Sequence, residues 1–582
     1  MRGTRRPGRS ARSRAAWAAS AAAACLALVA CTAVPTSGPI EEGPVVDAGD
    51  SPQFIRVIAA PPSVGASPTE IVRGFLEANA SLESDHAIAR RYLTPAAAGA
   101  WDPSASTTVY EQSSLTLSEG PDGGITAGLS INNRLDEAGS LDPVDPAAKE
   151  EIDFELEQVA GGAPGGPQWR IADPPSGILV SDTDLRRAYR QYQVHHPSAR
   201  GDVLVPDGRM LPVVGPSLPT ALAERVLAGP ADWLAPGVRT GAPPGTELAL
   251  GAVPVSNGEA VVELTDEALA ASDIQRRDLA AQLTWTLTQL PGVTAVRILV
   301  GGEPFDVPGA PEVMDRAVWQ ARSPDSASTG ATGEARLPYF VLEGSEVVQI
   351  SDANRTAVPV DVPGAGRLID LGVSLDQRTA SAVEPDRRAL WILPLDGGGS
   401  EQQVRGARIG GASFDIDGRA WFTDDGTVTT LVPSGLPQAV AVQPEFGDAP
   451  IDSVHLARDG TRIVLVSDGI LYLGVIQPSP AGLSIGSVRR SATTVSGVRD
   501  VAWRNSVTLD VLGETQTSSL QVLRIQVGTG EAQPLGTPAE PREVAGAPGS
   551  ATRVAGEDDQ LFANVGLQWR AQGAARSVAY PG

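Results

Sequence analysis

This chain offers few residues equipped for catalysis. It has four histidines (His86, His195, His196 and His455) and two cysteines (Cys25 and Cys31). Zinc sites gather His and Cys at short spacing, and only His195 and His196 are neighbours. Adjacent strand residues point to opposite faces, so this pair is expected as a surface feature beside a linker rather than as joint ligands. There is no H-E-x-x-H and no Gly-Lys dipeptide, so the zinc-protease and P-loop patterns are missing. Asp415-Ile416-Asp417-Gly418 opens like a calcium loop, but the later ligands and closing Glu are absent; it reads as a turn. Asp424-Asp425-Gly426 and Asp468-Gly469 read as hairpin turns. Carboxylates are abundant enough for a glycosidase-type pair, yet nothing in the sequence singles out two. The chain is therefore expected to be no enzyme, without metal or cofactor.

The residue with a definite chemical assignment is Cys31. Arg2, Arg5, Arg6, Arg9, Arg12 and Arg14 form a basic stretch, and Ala15–Ala30 is apolar apart from Ser20. That order is an export signal, too short to span a bilayer, which takes roughly 20 residues. It ends in Leu28-Val29-Ala30-Cys31, which resembles the lipobox of bacterial lipoproteins: a leucine three residues before the cysteine and a small residue directly before it. The resemblance implies a diacylglyceryl (palmitate-type) lipid on the Cys31 thiol and cleavage that leaves Cys31 first in the mature chain. Pro7-Gly8 after Arg5-Arg6 lacks the pattern of the twin-arginine route, which leaves general secretion. Cys25 is lost with the signal and Cys31 is blocked, so the mature chain forms no internal disulfide. Each buried lipid CH₂ contributes about 0.8 kcal/mol, and two chains hold where one is marginal.

With 582 residues there is room for about three or four domains. The net charge is −24, and removing residues 1–30 takes away six arginines and no acid, which moves it to −30. Nucleic acid wants a basic footprint, and an anionic bilayer repels such a surface, so neither is an expected partner beyond the lipid itself. Lys149 is the only lysine; the arginine bias points to a high-GC genome.

The elements fall into blocks. Residues 1–30 are the signal. Residues 31–66, rich in Pro, Gly and Ala, read as a flexible tether. An α+β domain is expected over 67–190. Ser67-Pro68-Thr69-Glu70 is a capping box, and Ile71, Val72, Phe75, Leu76, Asn79 and Leu82 follow at helical spacing. A short helix is expected over Asp85–Leu93, closed by Thr94-Pro95. Strands are expected at Thr107–Leu117, Gly124–Asn132, Glu151–Gln158, Trp169–Ala172 and Ile178–Ser181. In the third, Ile152, Phe154 and Leu156 alternate with acids, the period of a half-buried strand. Helices followed by a meander of strands suit a cone similar to the nuclear-transport-factor-like fold; such a cone either encloses a pocket or is a filled scaffold.

A small α/β domain is expected over 195–308. It opens with a strand ending at a Pro206-Asp207-Gly208 turn and a second strand at Leu211–Val214. A helix through Leu218, Leu222 and Val226 stops at Gly229-Pro230. Strands near Leu248–Val253 and Glu259–Leu264 precede a helix over Arg277–Leu290, with Leu279, Leu283, Leu287 and Leu290 on one stripe, and a strand at Val296–Val300. Trp285 reads as packing rather than binding. Thr284, Thr286 and Thr288, mildly unfavourable in a helix, line a contact face, pack, or face solvent. Leu227-Ala228-Gly229-Pro230, the Arg239–Thr246 segment and Gln282–Thr288 with Pro291-Gly292-Val293 resemble a GerMN domain of sporulation and germination proteins. The order of lipobox, α+β domain, GerMN domain and repeats resembles the LpqB family of actinobacterial lipoproteins across nearly the whole mature chain.

Residues 309–335 read as a linker, and 336–582 as an all-β propeller. Asp376, Asp417, Asp459, Asn505 and Ser550 recur as turn positions at intervals of 41, 42, 46 and 45 residues, each between strand-like stretches, the period of a propeller blade. Five equivalents are visible; Leu337–Ile350 closes the ring or begins another blade, leaving five, six or seven open. Trp391, Trp421 and Trp503 recur near blade strands and read as core, although solvent-facing tryptophans would favour a glycan site. The LpqB resemblance implies a membrane-anchored extracytoplasmic accessory protein. It also implies a partner, the extracytoplasmic domain of a sensor histidine kinase of the MtrAB two-component type, and through it an effect on cell envelope and division. The alternatives are an envelope glycan- or lipid-binding module and a cell-envelope hydrolase. Carboxylates converging in one cleft would keep the last of these open.

Overall fold

The structure is a computed structural model. It describes Gly3 and residues 59–582 except 82–85, 121–122, 145–148, 161–165, 202, 213–217, 326–336, 345, 352–353, 359, 361–366, 398–401, 444–445, 447–448, 481 and 567. The export signal apart from Gly3, the lipobox Leu28-Val29-Ala30-Cys31 and the tether up to residue 58 lie outside the described residues. Among those described, no helix is long and apolar enough to cross a membrane.

The first domain is α+β. Its first helix, Pro68–Ala78, starts at the capping box: Glu70 N donates to Ser67 Oγ at 3.3 Å, and Ser67 N to Glu70 Oε2 at 2.8 Å. The stripe Ile71, Val72, Phe75 and Leu76 is buried, as its spacing requires. Thr94-Pro95 closes one short helix (Ala87–Arg90) by opening the next (Pro95–Ala100), with Ala97 N donating to Thr94 Oγ1 at 3.2 Å. These helices pack on a curved sheet in the order Gln168–Asp173, Lys149–Val159, Ile125–Leu135, Thr107–Tyr110, Ile178–Ser181. The expected strand Thr107–Leu117 is broken into Thr107–Tyr110 and Thr116–Glu119 by a 3₁₀ turn at Gln112–Ser114. Phe75 fills the cone against Trp101 and Phe154, with ring centroids 5.4 and 6.2 Å away.

The second domain pairs Glu259–Leu264 with Ala295–Val300 in parallel. The helix Asp273–Leu287 makes the crossover that a parallel pair needs. Its start is a second capping box, Ser272 with Gln275, four residues before the expected Arg277. Leu279, Leu283 and Leu287 share one core with Leu222 and Val226 of the Leu218–Ala228 helix. Leu248–Val253 makes only one bridge, Leu248 to Leu264; Leu250 is 69% exposed, so the segment has no second face to bury. The segment read as a linker from 309 belongs to this domain as far as Asp325. Val313–Met314 pairs with Ala295–Val300, Trp319 is buried, and Arg322 reaches the buried Asp278 carboxylate. Residues 326–335 of that linker lie outside the described residues, as does Arg336.

Among the described residues, the strands from Tyr339 onward form six blades. Their innermost strands are Ile369–Val373, Ser413–Phe414, Ser453–Leu456, Val495–Asn505, Pro541–Ala545 and Ser577–Ala579. The last of these pairs with Tyr339–Glu343, so Leu337–Ile350 both begins a blade and closes the ring with the chain's final strand. Such closure protects the sheet edges from pairing with other chains. The turn residues behave as their types require. Thr461 N and Arg462 N donate to Asp459 Oδ1 at 2.9 and 3.0 Å, and Val507 N donates to Asn505 Oδ1 at 2.9 Å. In the second repeat Asp415, rather than Asp417, holds the turn: Asp417 N and Arg419 N donate to its Oδ1 and Trp421 Nε1 to its Oδ2, each at 2.9 Å. Both carboxylate oxygens serve the fold. Asp425-Gly426 and Asp468-Gly469 have positive φ at both residues, the hairpin geometry that Asp-Gly favours.

The three domains meet on one hairpin, Tyr189–Pro197 with Leu204–Pro212. Pro206-Asp207-Gly208, expected as a turn, lies within its second strand; the chain reverses at Ser198–Gly201 instead, where Gly201 has φ +80°. Met210 N donates to Gly139 O of the first domain at 2.7 Å. His195 N donates to Thr286 Oγ1 at 3.1 Å, and Gln193 exchanges two bonds with Gln289. Gln191 Nε2 donates to Val527 O of the propeller at 2.7 Å.

Candidate functional site

Two polar assemblies stand out: the core of the hairpin junction and the channel along the propeller axis.

The junction contains the histidine pair. His195 is 6% exposed and His196 fully buried, so the expected surface pair is internal. The cause is the docking of the helix Asp273–Leu287 over the hairpin. His196 Nδ1 lies 3.1 Å from Gln282 Nε2, and His195 packs on Trp285 with centroids 5.8 Å apart. Burial drives both imidazoles down to about 3, so both are neutral at physiological pH. Asp207 accepts from Arg209 at 2.7 Å and from Ala231 N at 2.8 Å. Thr286 is a contact residue, but its contact is the chain's own hairpin. Trp285 packs on the domain core beneath Arg316, 4.8 Å from its ring.

Blade turns carry the junction onto one face of the propeller. Arg462, buried, donates to Asp459 Oδ2 at 2.6 Å and to Pro206 O at 3.4 Å. Arg200 reaches Asp417 at 2.6 Å, and Ser506 N donates to Asp325 at 2.9 Å. Val205, Leu234, Val238 and Val475 form an apolar contact between the domains. Trp233 lies 4.0 Å beneath the Arg489 guanidinium, which also bonds Asp142 of the first domain at 3.2 Å. All of this is internal docking, so none of it is free for a partner.

The channel has a different character. It encloses about 670 Å³, within the range of ligand pockets. At the docked face it is closed. Arg458 donates to Trp503 O at 2.8 Å, Gly546 O at 3.2 Å and Pro581 O at 3.0 Å, and Gly582 N donates to Val373 O at 2.9 Å. Burial lowers Arg458 to about 10, which leaves it charged. The other mouth lies where the inner strands begin, and it brings together Asp370, Asp452, Asp500 and Glu543. Asp370 pairs with Arg387 at 2.7 Å, and Asp452 stands 3.9 Å from Arg408. Val544 N donates to Asp500 Oδ2 at 2.7 Å. Glu543 is 8% exposed and faces Ser577 Oγ at 2.8 and 2.6 Å. Burial pushes Asp500 up to about 7 and Glu543 well above its ordinary value; neighbouring carboxylates add to both shifts. Deeper in, Ser453 Oγ lies 3.0 Å from His455 Nε2.

Motif and composition do not single out these acids, though a signal is present. Asp370, Asp452, Asp500 and Glu543 each stand five to seven residues before a repeat turn, at Asp376, Asp459, Asn505 and Ser550. The tryptophans are elsewhere. Trp421 is fully buried, Trp503 is 5% exposed with Nε1 on His455 O, and Trp391 bonds Glu384 at 3.1 Å. They are packing residues and lend no support to a glycan platform.

Comparison with known proteins agrees with this layout. Residues 61–186 match the family model of the lipoprotein LpqB N-terminal domain, and 346–581 that of the lipoprotein LpqB beta-propeller domain. Residues 193–306 match a model described as sporulation and spore germination. The chain is similar to lipoprotein LpqB of Thermobifida fusca (strain YX), 28% identical over 95% of this chain and 97% of that one. Lipoprotein LpqB of Streptomyces coelicolor is 29% identical over 95% and 96%. Among solved structures, the first GerMN domain of the sporulation protein GerM from Bacillus subtilis is 19% identical, over 22% of this chain and 98% of that one, with a TM-score of 0.18.

Proposed function

The chain belongs to the LpqB lipoprotein family, and on that premise we propose that it is a non-enzymatic accessory protein held on the outer membrane face by lipid on Cys31. In this reading it modulates a sensor histidine kinase of the MtrAB type by binding its extracytoplasmic domain. One observation carries the choice of surface: one propeller face is consumed by the other domains, while the open mouth lies on the face away from them. Tethering both molecules to one membrane raises their effective concentration, so modest affinity suffices. The partner shifts the kinase only by its differential affinity for the two kinase states.

The hydrolase alternative keeps one support, the convergence of Asp370, Asp500 and Glu543 in a single channel. Against it, Asp500 is held by a backbone amide and Glu543 by Ser577, which suits a fixed wall better than a proton shuttle. Crosslinking in living cells followed by purification of the lipidated protein tests the proposal. Recovery of a sensor kinase is the expected result. Recovery of envelope polymer without a kinase favours the binding-module alternative and contradicts the proposal.

A further inference from the structure

We propose that the closed-ended propeller channel is a receptor for one cationic side chain, presented at the open mouth by a partner polypeptide. The inference rests on the open face being the one that meets the partner. Of the five carboxylates at this mouth, Asp370 and Asp452 are matched by Arg387 and Arg408, and Asp425 is exposed on a hairpin turn. Asp500 and Glu543 have no ion-pair partner among the described residues, although they stand on adjacent inner strands, Val495–Asn505 and Pro541–Ala545. A serine hydroxyl has one hydrogen. Ser577 Oγ therefore serves only one of the two Glu543 oxygens near it, and it accepts in turn from Leu371 N at 2.8 Å. Ionised, Glu543 (more than nine-tenths buried) would therefore leave one oxygen without a donor, beside a cavity that admits a guest. Such a group invites a charge-assisted donor.

The surroundings favour a cation over an anion or an apolar group. The charged groups facing the pair are Asp370 and Arg387, two blades on from Glu543, and Arg542 beside Glu543; Arg408 and Arg499 line the same mouth. Arg387 is engaged with Asp370, and Arg542 stands 3.9 Å from Asp559. Both acids hold protons more tightly than free carboxylic acids do. Entry of a guanidinium or ammonium group therefore leaves the pair as carboxylates and releases protons to solvent.

Calorimetry on the full protein in detergent at pH 7 tests this, with N-acetyl-arginine amide as probe, N-acetyl-lysine amide as the ammonium arm and N-acetyl-citrulline amide as the neutral isostere. Two buffers of different ionisation heat report proton release. The expected result is one-to-one binding of a cationic probe with proton release. It should weaken about tenfold or more in Asp500→Asn and in Glu543→Gln, and citrulline amide should not bind. Thermal melts check that both variants fold. No binding at millimolar probe, equal binding of citrulline amide, or unchanged binding in both variants overturns the proposal. Channel binding without any partner at this face would instead count against the proposed function alone.

Discussion

Single buried charges decide how this protein responds to substitution and pH. Arg462 holds Asp459 inside the blade turn and reaches Pro206 O across the domain boundary. Arg462→Ala leaves a fully buried carboxylate unpaired and should cost about 3–5 kcal/mol, seen as a lower urea midpoint. A loss below about 1 kcal/mol would show that water replaces the guanidinium. Asp500 behaves in the opposite sense. Its folded pKa of about 7 lies above its unfolded value of about 3.9. Between those limits the folded state keeps a proton that the unfolded state has released, so the group's contribution to stability falls as pH rises from about 4 to about 7. Asp500→Asn should therefore gain nothing at about pH 4 and about 2 kcal/mol at about pH 8, allowing for solvent in the channel. Denaturation at both pH values checks this, and an equal effect at both would contradict it.

At the scale of elements, what is legible in the sequence is what local rules govern. The Ser67 capping box, the Ile71–Leu76 stripe and the Asp-Gly hairpins are readable because each is fixed by neighbours a few residues away. The hairpin Tyr189–Pro212 defeats such rules because its turn-like Pro206-Asp207-Gly208 is overridden by pairing with Gln193–His195 on the facing strand and by Ala231 N, which donates to Asp207. The better signal, Ser198 to Gly201, is weaker in composition but is where the chain turns. The channel acids escape them too, because their meeting depends on ring closure, which brings together residues far apart in sequence. Close approach of elements gives a further prediction. A Cβ on Gly237 would stand 2.5 Å from Val475 Cγ1 and 2.6 Å from Thr461 Cγ2. Gly237→Val should cost about 1–3 kcal/mol and loosen the contact between the second domain and the propeller, read as faster proteolysis after Arg239. Unchanged proteolysis would mean that the blade gives way locally.

For the whole molecule, the three domains are built as one body around the hairpin, and this shapes how function can be tested. Deleting 336–582 would uncover Leu234, Val205 and Trp233 as well as remove the propeller, so loss of a partner on deletion would not locate its surface. Anchoring is separable. Cys31→Ala should release the protein from the membrane or leave an unprocessed precursor, and normal processing with retention would contradict the lipobox assignment. The most direct test of partner recognition through the open propeller face is site-resolved photocrosslinking in living cells. A photoreactive residue would be placed at Arg499 or Asp425 on the open mouth, with a comparison position at Glu155 on the first domain. The account predicts a sensor kinase crosslinked from the mouth positions and not from Glu155. Kinase captured only from Glu155, or from none of the three while the protein stays folded and anchored, would contradict it.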